Sequence, residues 1–288
     1  MKKSVFVCLL CLVVQQSLAQ QIDRFRDIQA LDEHFQPKPD RKHPLILAHR
    51  GGPGQGDTEN SITTFDKTAI ALPDAIIEMD VRMTQDSTLV LLHDATLNRE
   101  SDAKGNVAEW TFNNLKKIRL KTLAGELTNE RIPTFADVLN WNQNRYVLAL
   151  DVKPGTDLLR TMKEVQKYGA EHSVFVICYS PADAQRMRKL YPNLWLALGV
   201  SGMSDVEKWE INLPVSGRLI ALTPQKLQES AFYERLHKLG ILCSVGTYGA
   251  GQLDEMPIKD AASGYRNTFR QGGDILTTDR PKEVADLF

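Results

Sequence analysis

Glu78 and Asp80 stand two residues apart in the apolar run Ile76-Ile77-Glu78-Met79-Asp80-Val81. Strand side chains alternate faces, so the two carboxylates point the same way. Like charges on one face of an apolar strand repel and are costly to bury unless a cation or a proton offsets them. Oxygen ligands of this kind suit a hard divalent ion. From this strand alone an edge position with the polar face in solvent serves equally well. Three other apolar runs also end in charge. Residues 44–48 end in His49-Arg50 and a glycine-rich loop, 88–92 end in His93-Asp94, and 146–150 end in Asp151-Val152-Lys153. Together these residues suit phosphodiester cleavage. Glu78, Asp80 and Asp151 would hold one Ca²⁺ or Mg²⁺ ion against a phosphate oxygen. Arg50 and Lys153 would add positive charge on the same phosphoryl group. His49 and His93 would divide the general base and general acid roles, because imidazole titrates near neutral pH. Three carboxylates without an ion would repel an anionic substrate.

Elements that place these residues on one rim can be read from the apolar pattern. Strands are expected at 45–49, 76–80, 147–152, 174–178, 194–198, 218–222, 241–245 and 274–277. Helical spacing separates most of them, including a helix opened by Ser61 and one running from Pro224 to Leu239. The link from 76–80 to the run at 88–93 is too short for a parallel crossover, so that pair is a hairpin returning His93 to the level of Asp80. Residues 95–130 read as a polar, irregular insertion after the second strand, anchored by Trp110, Phe112, Leu115 and Leu120. Strand–helix alternation of this length predicts an α/β fold, a (β/α)₈ TIM barrel whose active face lies at the C-terminal strand ends. An open doubly wound sheet would need a phosphate or dinucleotide glycine loop, which is absent.

The N-terminus has the pattern of a secretory signal. Lys2-Lys3 precedes an apolar run, and Ser17-Leu18-Ala19 supplies a cleavage site, so residues 1–19 are expected to be removed. The run is short for a membrane span, and no stable membrane insertion is expected after cleavage. Loss of the two lysines takes the formal charge from -1 to -3. The expected location is across the inner membrane, in the periplasm of a Gram-negative cell. Residues 20–43 form a lead segment in which Phe25, Ile28 and Leu31 suit a short helix under the domain, and residues 44–288 form one domain. Cys8 and Cys11 leave with the signal, and Cys178 and Cys243 read as core thiols. A balanced charge with no basic stripe argues against a nucleic-acid partner.

The chain resembles the glycerophosphodiester phosphodiesterases. The matching pieces are His49-Arg50-Gly51, Glu59-Asn60, Glu78-Met79-Asp80-Val81, Thr84-Gln85-Asp86, His93-Asp94 with Leu97 and Arg99, Asp151-Val152-Lys153 and Thr278-Asp279-Arg280-Pro281. The resemblance implies a barrel of the PLC-like phosphodiesterase type and a small-molecule glycerophosphodiester substrate. It implies His49 and His93 as the catalytic pair, Glu78, Asp80 and Asp151 as metal ligands, and Arg50 and Lys153 as phosphate contacts. Glu59 would be an extra ligand or an orienting group. In this family a glycerol hydroxyl attacks phosphorus, a cyclic phosphate forms, and water opens it to glycerol 3-phosphate. The chain departs from the family in three places. Asp151 stands where glutamate is commoner, Thr58 replaces a proline, and Gly246 replaces a tryptophan that packs on glycerol, which leaves Tyr248 as the headgroup wall. The Asp151 and Gly246 departures leave a phosphodiesterase of the same fold acting on a different headgroup as an alternative. A glycosidase would have no use for the histidine pair, and a non-catalytic binding barrel would not require both histidines.

Overall fold

The computed structural model describes residues 23–36, 41–212 and 217–288. The expected signal segment and most of the linker around Pro39 lie outside the described residues. In chain order the strands are β1 (Leu45–Ala48), β2 (Ile76–Met83), β3 (Leu89–Leu91), β4 (Arg119–Lys121), β5 (Leu127–Arg131), β6 (Leu148–Val152), β7 (Val174–Cys178), β8 (Trp195–Gly199), β9 (Leu219–Thr223), β10 (Leu242–Gly246) and β11 (Ile275–Thr278). All but β3, β4 and β5 are parallel, and the pairs β1–β2 and β1–β11 close them into a (β/α)₈ barrel. Strand β3 runs antiparallel beside β2, with Val81 opposite Leu91. The expected hairpin is therefore present. β2 lies between β1 and β6, so it is not an edge strand with a solvated face.

The helices are α1 (Ile28–Phe35), α2 (Ile62–Ala71), α3 (Phe112–Leu115), α4 (Phe135–Asn142), α5 (Leu158–Lys167), α6 (Pro181–Leu190), α7 (Met203–Asn212), α8 (Ser230–Lys238), α9 (Ile258–Gln271) and α10 (Pro281–Ala285). Their starts follow local chemistry. Ser61 caps α2, and Thr134 with Asp137 makes a capping box on α4. Strand alternation sorts the core into two layers. Ile77, Met79 and Val81 pack outward against the helices, while Ile76, Leu47 and Phe175 fill the barrel. Glu78 and Asp80 share the inward parity of Ile76. At the opposite end α1 seals the barrel, where Phe35 packs on Phe175 and Trp195 with ring centroids 5.7 and 4.7 Å away.

Two expectations need correction. The helix after Pro224 begins only at Ser230, because residues 224–229 form an irregular approach in which the Gln225 side chain donates to the carbonyl of Tyr248. The insertion is not irregular throughout. It contains the β4–β5 ribbon, and Leu97, Val107, Leu115 and Leu120 form a small core with Val90 and Leu92. Cys178 and Cys243 are free and buried, as core thiols.

One ion pair at the bottom of the barrel should make stability depend on pH. His237 Nε2–H donates to Asp274 Oδ2 at 2.8 Å, and that bond, opposed by burial, raises the imidazole pKa. A raised folded-state pKa gives stability that is fully present below the ordinary value of 6.5 and is lost as pH rises through the folded value. Denaturant unfolding of His237→Gln against the wild type should show its largest gap on the acid side and a shrinking gap on the alkaline side. A gap independent of pH would remove this ion pair as its source.

Candidate active site

The C-terminal ends of β1, β2 and β6 bring the charged residues together. Parallel register sets Asp80 opposite Asp151, and both have the same inward parity as Glu78. Carboxylate oxygens of Glu78, Asp80 and Asp151 all lie within 4.8 Å of one another. Glu78 and Asp80 are buried, at 3% and 1% exposure. Burial first, and then the charges of Asp80 and Asp151, push the Glu78 carboxyl well above its ordinary range. Asp80 is held below its ordinary range despite burial, chiefly by Lys153, with help from His93 and Asn60.

The chemistry of these residues suits a hard cation. The donors are all carboxylate oxygens. Asp80 Oδ1 is buried without a well-aligned hydrogen bond, although Lys153 Nζ lies 2.7 Å from it. That contact is an ion pair, not an aligned hydrogen bond. Lys153 also reaches Asp151 Oδ2 at 2.7 Å. Its ammonium pKa is raised, since the two aspartates outweigh the effect of burial.

Both histidines are oriented through Nδ1. His49 donates from Nδ1 to Asp279 Oδ1 at 2.7 Å, and His93 donates to Asp94 Oδ1 at 2.8 Å. This tautomer leaves Nε2 free to exchange a proton with a ligand. Burial lowers the His93 pKa, with Asp80 and Asp94 working against it. Asp94 is itself held at about 2, where Arg99 and His93 overcome burial.

The loop after β1 turns sharply to seat these groups. Arg50 adopts φ 52°, and its amide donates to Glu78 Oε2 at 2.6 Å. A side chain at Gly51 or Gly52 would collide with Phe65 or Pro281, with contacts of 2.5 and 2.4 Å, so the turn requires glycine at both. Glu59 is held by two arginines. Arg99 grips its two oxygens at 2.7 and 2.9 Å, and Arg50 Nη1 lies 3.2 Å from each. Thr58, in the place of the family's proline, donates to Ser61 Oγ at 2.7 Å and so ties the approach to the start of α2.

A cavity of about 360 Å³ opens beside this cluster, lined in part by His49, Glu78, Asp151, Tyr179, Gly246 and Tyr248. Tyr248 stacks on His49 with ring centroids 3.8 Å apart and planes at 18°. A Cβ at Gly246 would lie 3.1 Å from the Tyr248 ring, so the tyrosine takes the space beside the glycine. A larger cavity of about 680 Å³ lies at the other end, beneath α1, and contains none of these groups.

Several contributors were not singled out from sequence. Asn60 Nδ2 donates to Asp80 Oδ2 at 2.7 Å, and Asn60 Oδ1 accepts the Asp80 amide at 2.9 Å. The Tyr179 hydroxyl donates to Asp151 Oδ1 at 2.6 Å. Asp94 orients His93, and Asp279, expected at this rim beside the first strand once the barrel closes, orients His49. Asn60 and Asp94 stand inside motifs that the sequence displays, Glu59-Asn60 and His93-Asp94. Tyr179 stands in no such motif.

The family model for the glycerophosphoryl diester phosphodiesterase family matches residues 49–281. A glycerophosphodiester phosphodiesterase of Caldanaerobacter subterraneus is 30% identical over 176 residues, covering 59% of this chain and 71% of the relative. A crystal structure of a glycerophosphoryl diester phosphodiesterase from Parabacteroides distasonis has a TM-score of 0.83 at 34% identity, covering 91% of each chain. A phosphodiesterase from Oleispira antarctica, solved with the product sn-glycerol-3-phosphate, shares the fold at a TM-score of 0.67 and 19% identity, over 85% of this chain and 96% of that one.

Proposed function

The chain belongs to the glycerophosphoryl diester phosphodiesterase family, whose members hydrolyse glycerophosphodiesters, and we propose that it does so with the two-histidine, three-carboxylate site described above. The observation that carries this reading is the convergence of Glu78, Asp80 and Asp151 at strand ends that also present two carboxylate-oriented histidines. Glu78, Asp80 and Asp151 would hold one Ca²⁺ or Mg²⁺ ion, which supplies positive charge to a phosphate oxygen when bound.

The chain's own residues do the rest. Arg50 and Lys153 stand beside the carboxylates, where they can pair with phosphate oxygens. One histidine takes the proton from the glycerol hydroxyl adjacent to the phosphate, and that oxygen attacks phosphorus. The other gives a proton to the departing alcohol oxygen, which leaves a cyclic phosphate. Water then opens the ring with the two roles reversed, yielding glycerol 3-phosphate. Because the nucleophile belongs to the substrate, no bimolecular encounter is needed for the first step. Tyr248 supplies an apolar face beside His49 against which the glycerol can rest. Export through a signal at residues 1–19 would place this activity in the periplasm, where phosphodiester debris is available.

Release of glycerol 3-phosphate from glycerophosphocholine and glycerophosphoethanolamine tests the reading. Release from either substrate is expected with added Ca²⁺ or Mg²⁺. Hydrolysis of an aryl phosphodiester alone would move the natural headgroup away from glycerol and point to Gly246 and Tyr248. No hydrolysis of any phosphodiester would overturn the reading.

A further inference from the structure

Glu100 takes no part in the mechanism above, yet its carboxyl is buried at the hairpin that carries His93, with a side chain 2% exposed. The ladder of main-chain bonds runs out just before this histidine. Leu91 donates to Pro133 O and Leu92 to Asp80 O, and the next two amides turn to a side chain instead. Glu100 Oε2 accepts the His93 N–H at 3.1 Å, and Oε1 accepts the Asp94 N–H at 2.7 Å. Arg82 holds the opposite side of the same peptide, with Nε donating to the His93 carbonyl at 3.0 Å. The Asp94 whose N–H donates one of these bonds is the residue whose carboxylate orients the His93 imidazole.

This arrangement is costly. Burial first, and then the nearby charge of Glu59, push the Glu100 carboxyl up to about 8. Arg99 offsets part of the cost from 3.1 Å. What the carboxyl gains in exchange is a fixed main chain at residues 93 and 94, where no sheet partner remains.

We propose that Glu100 is a positioning residue for the reaction, holding the His93–Asp94 main chain so that the imidazole meets the substrate in one orientation. This rests on the reading that His93 exchanges a proton with the substrate. Displacement of a reacting group by about 1 Å costs on the order of 10²-fold in rate.

The test compares Glu100→Ala and Glu100→Gln in the full, metal-loaded enzyme acting on glycerophosphocholine. For the alanine variant, kcat should fall on the order of 10- to 100-fold with KM unchanged. Hydrogen exchange at the His93 and Asp94 amides should accelerate. The glutamine variant keeps an oxygen for the Asp94 amide but presents an NH₂ to the His93 amide, so its kcat should fall between the alanine variant and the wild type. A lowered Tm with wild-type kcat per folded molecule would overturn the proposal, leaving Glu100 a purely structural residue. If the alanine variant does not fold, wild-type kcat in the glutamine variant overturns it equally. His93→Ala, run alongside, separates the two levels. An inactive His93→Ala with fully active Glu100 variants sinks this inference alone, whereas an active His93→Ala sinks the reading beneath it.

Discussion

His49→Ala and His93→Ala should each lower kcat by about 10²- to 10⁴-fold, the range for removing a positioned general acid or base. The protein should stay folded. His49 sits at the rim, and its imidazole contacts are the Asp279 carboxylate and the Tyr248 ring. His93 is half-buried, and its main chain, which any residue retains, makes the bonds to Glu100 and Arg82. Because the two histidines act as base and acid in the same displacement and so as a unit, the double variant should be scarcely slower than the worse single one. Circular dichroism and steady-state kinetics on the three proteins decide it. Full activity in both single variants would end the two-histidine mechanism.

Stripping the protein with a chelator should abolish turnover, and Ca²⁺ or Mg²⁺ should restore it. The electrostatic reason is the packing of Glu78, Asp80 and Asp151 within 4.8 Å, two of them buried, with Lys153 as their nearest counter-charge. An ion bound to the folded state alone also stabilises it, by about 2.7 kcal/mol at a hundredfold excess over Kd. Tm of the stripped wild type should therefore rise with added ion. Glu78→Gln separates this from a general salt effect. Its amide oxygen can still accept the Arg50 N–H, and it removes a carboxyl that burial and its neighbours already disfavour as an anion. The stripped variant should be at least as stable as the stripped wild type, with a weakened Tm response to the ion. An undiminished response in Glu78→Gln would remove Glu78 from the ligand set.

Much of this site was legible in sequence because strands impose a period of two and barrels place function at strand ends. Glu78 and Asp80 had to share a face once Ile76–Met83 was a strand, and the short link to His93 had to be a hairpin. The quoted motifs contained the residues that later proved to orient the others. The helix expected from Pro224 and the irregular reading of 95–130 failed for a common reason. Local pattern did not reveal that Gln225 bonds across to Tyr248, or that Leu97, Val107 and Leu115 find a core under β3.

The sequence by itself determined the alternation of strands and helices, the sign and type of each group at the strand ends, and the sharp glycine turn after His49. These depend on neighbours a few residues away. Tertiary structure decided the particular contacts among those groups. Asp279 reaches His49 across 230 positions only because β11 pairs with β1, and Asp80 faces Asp151 only through the parallel register of β2 and β6. Tyr179 reaches Asp151, and Tyr248 covers His49, through the same closure. Register and closure are set by packing summed over the whole barrel, so no local stretch of chain encodes them.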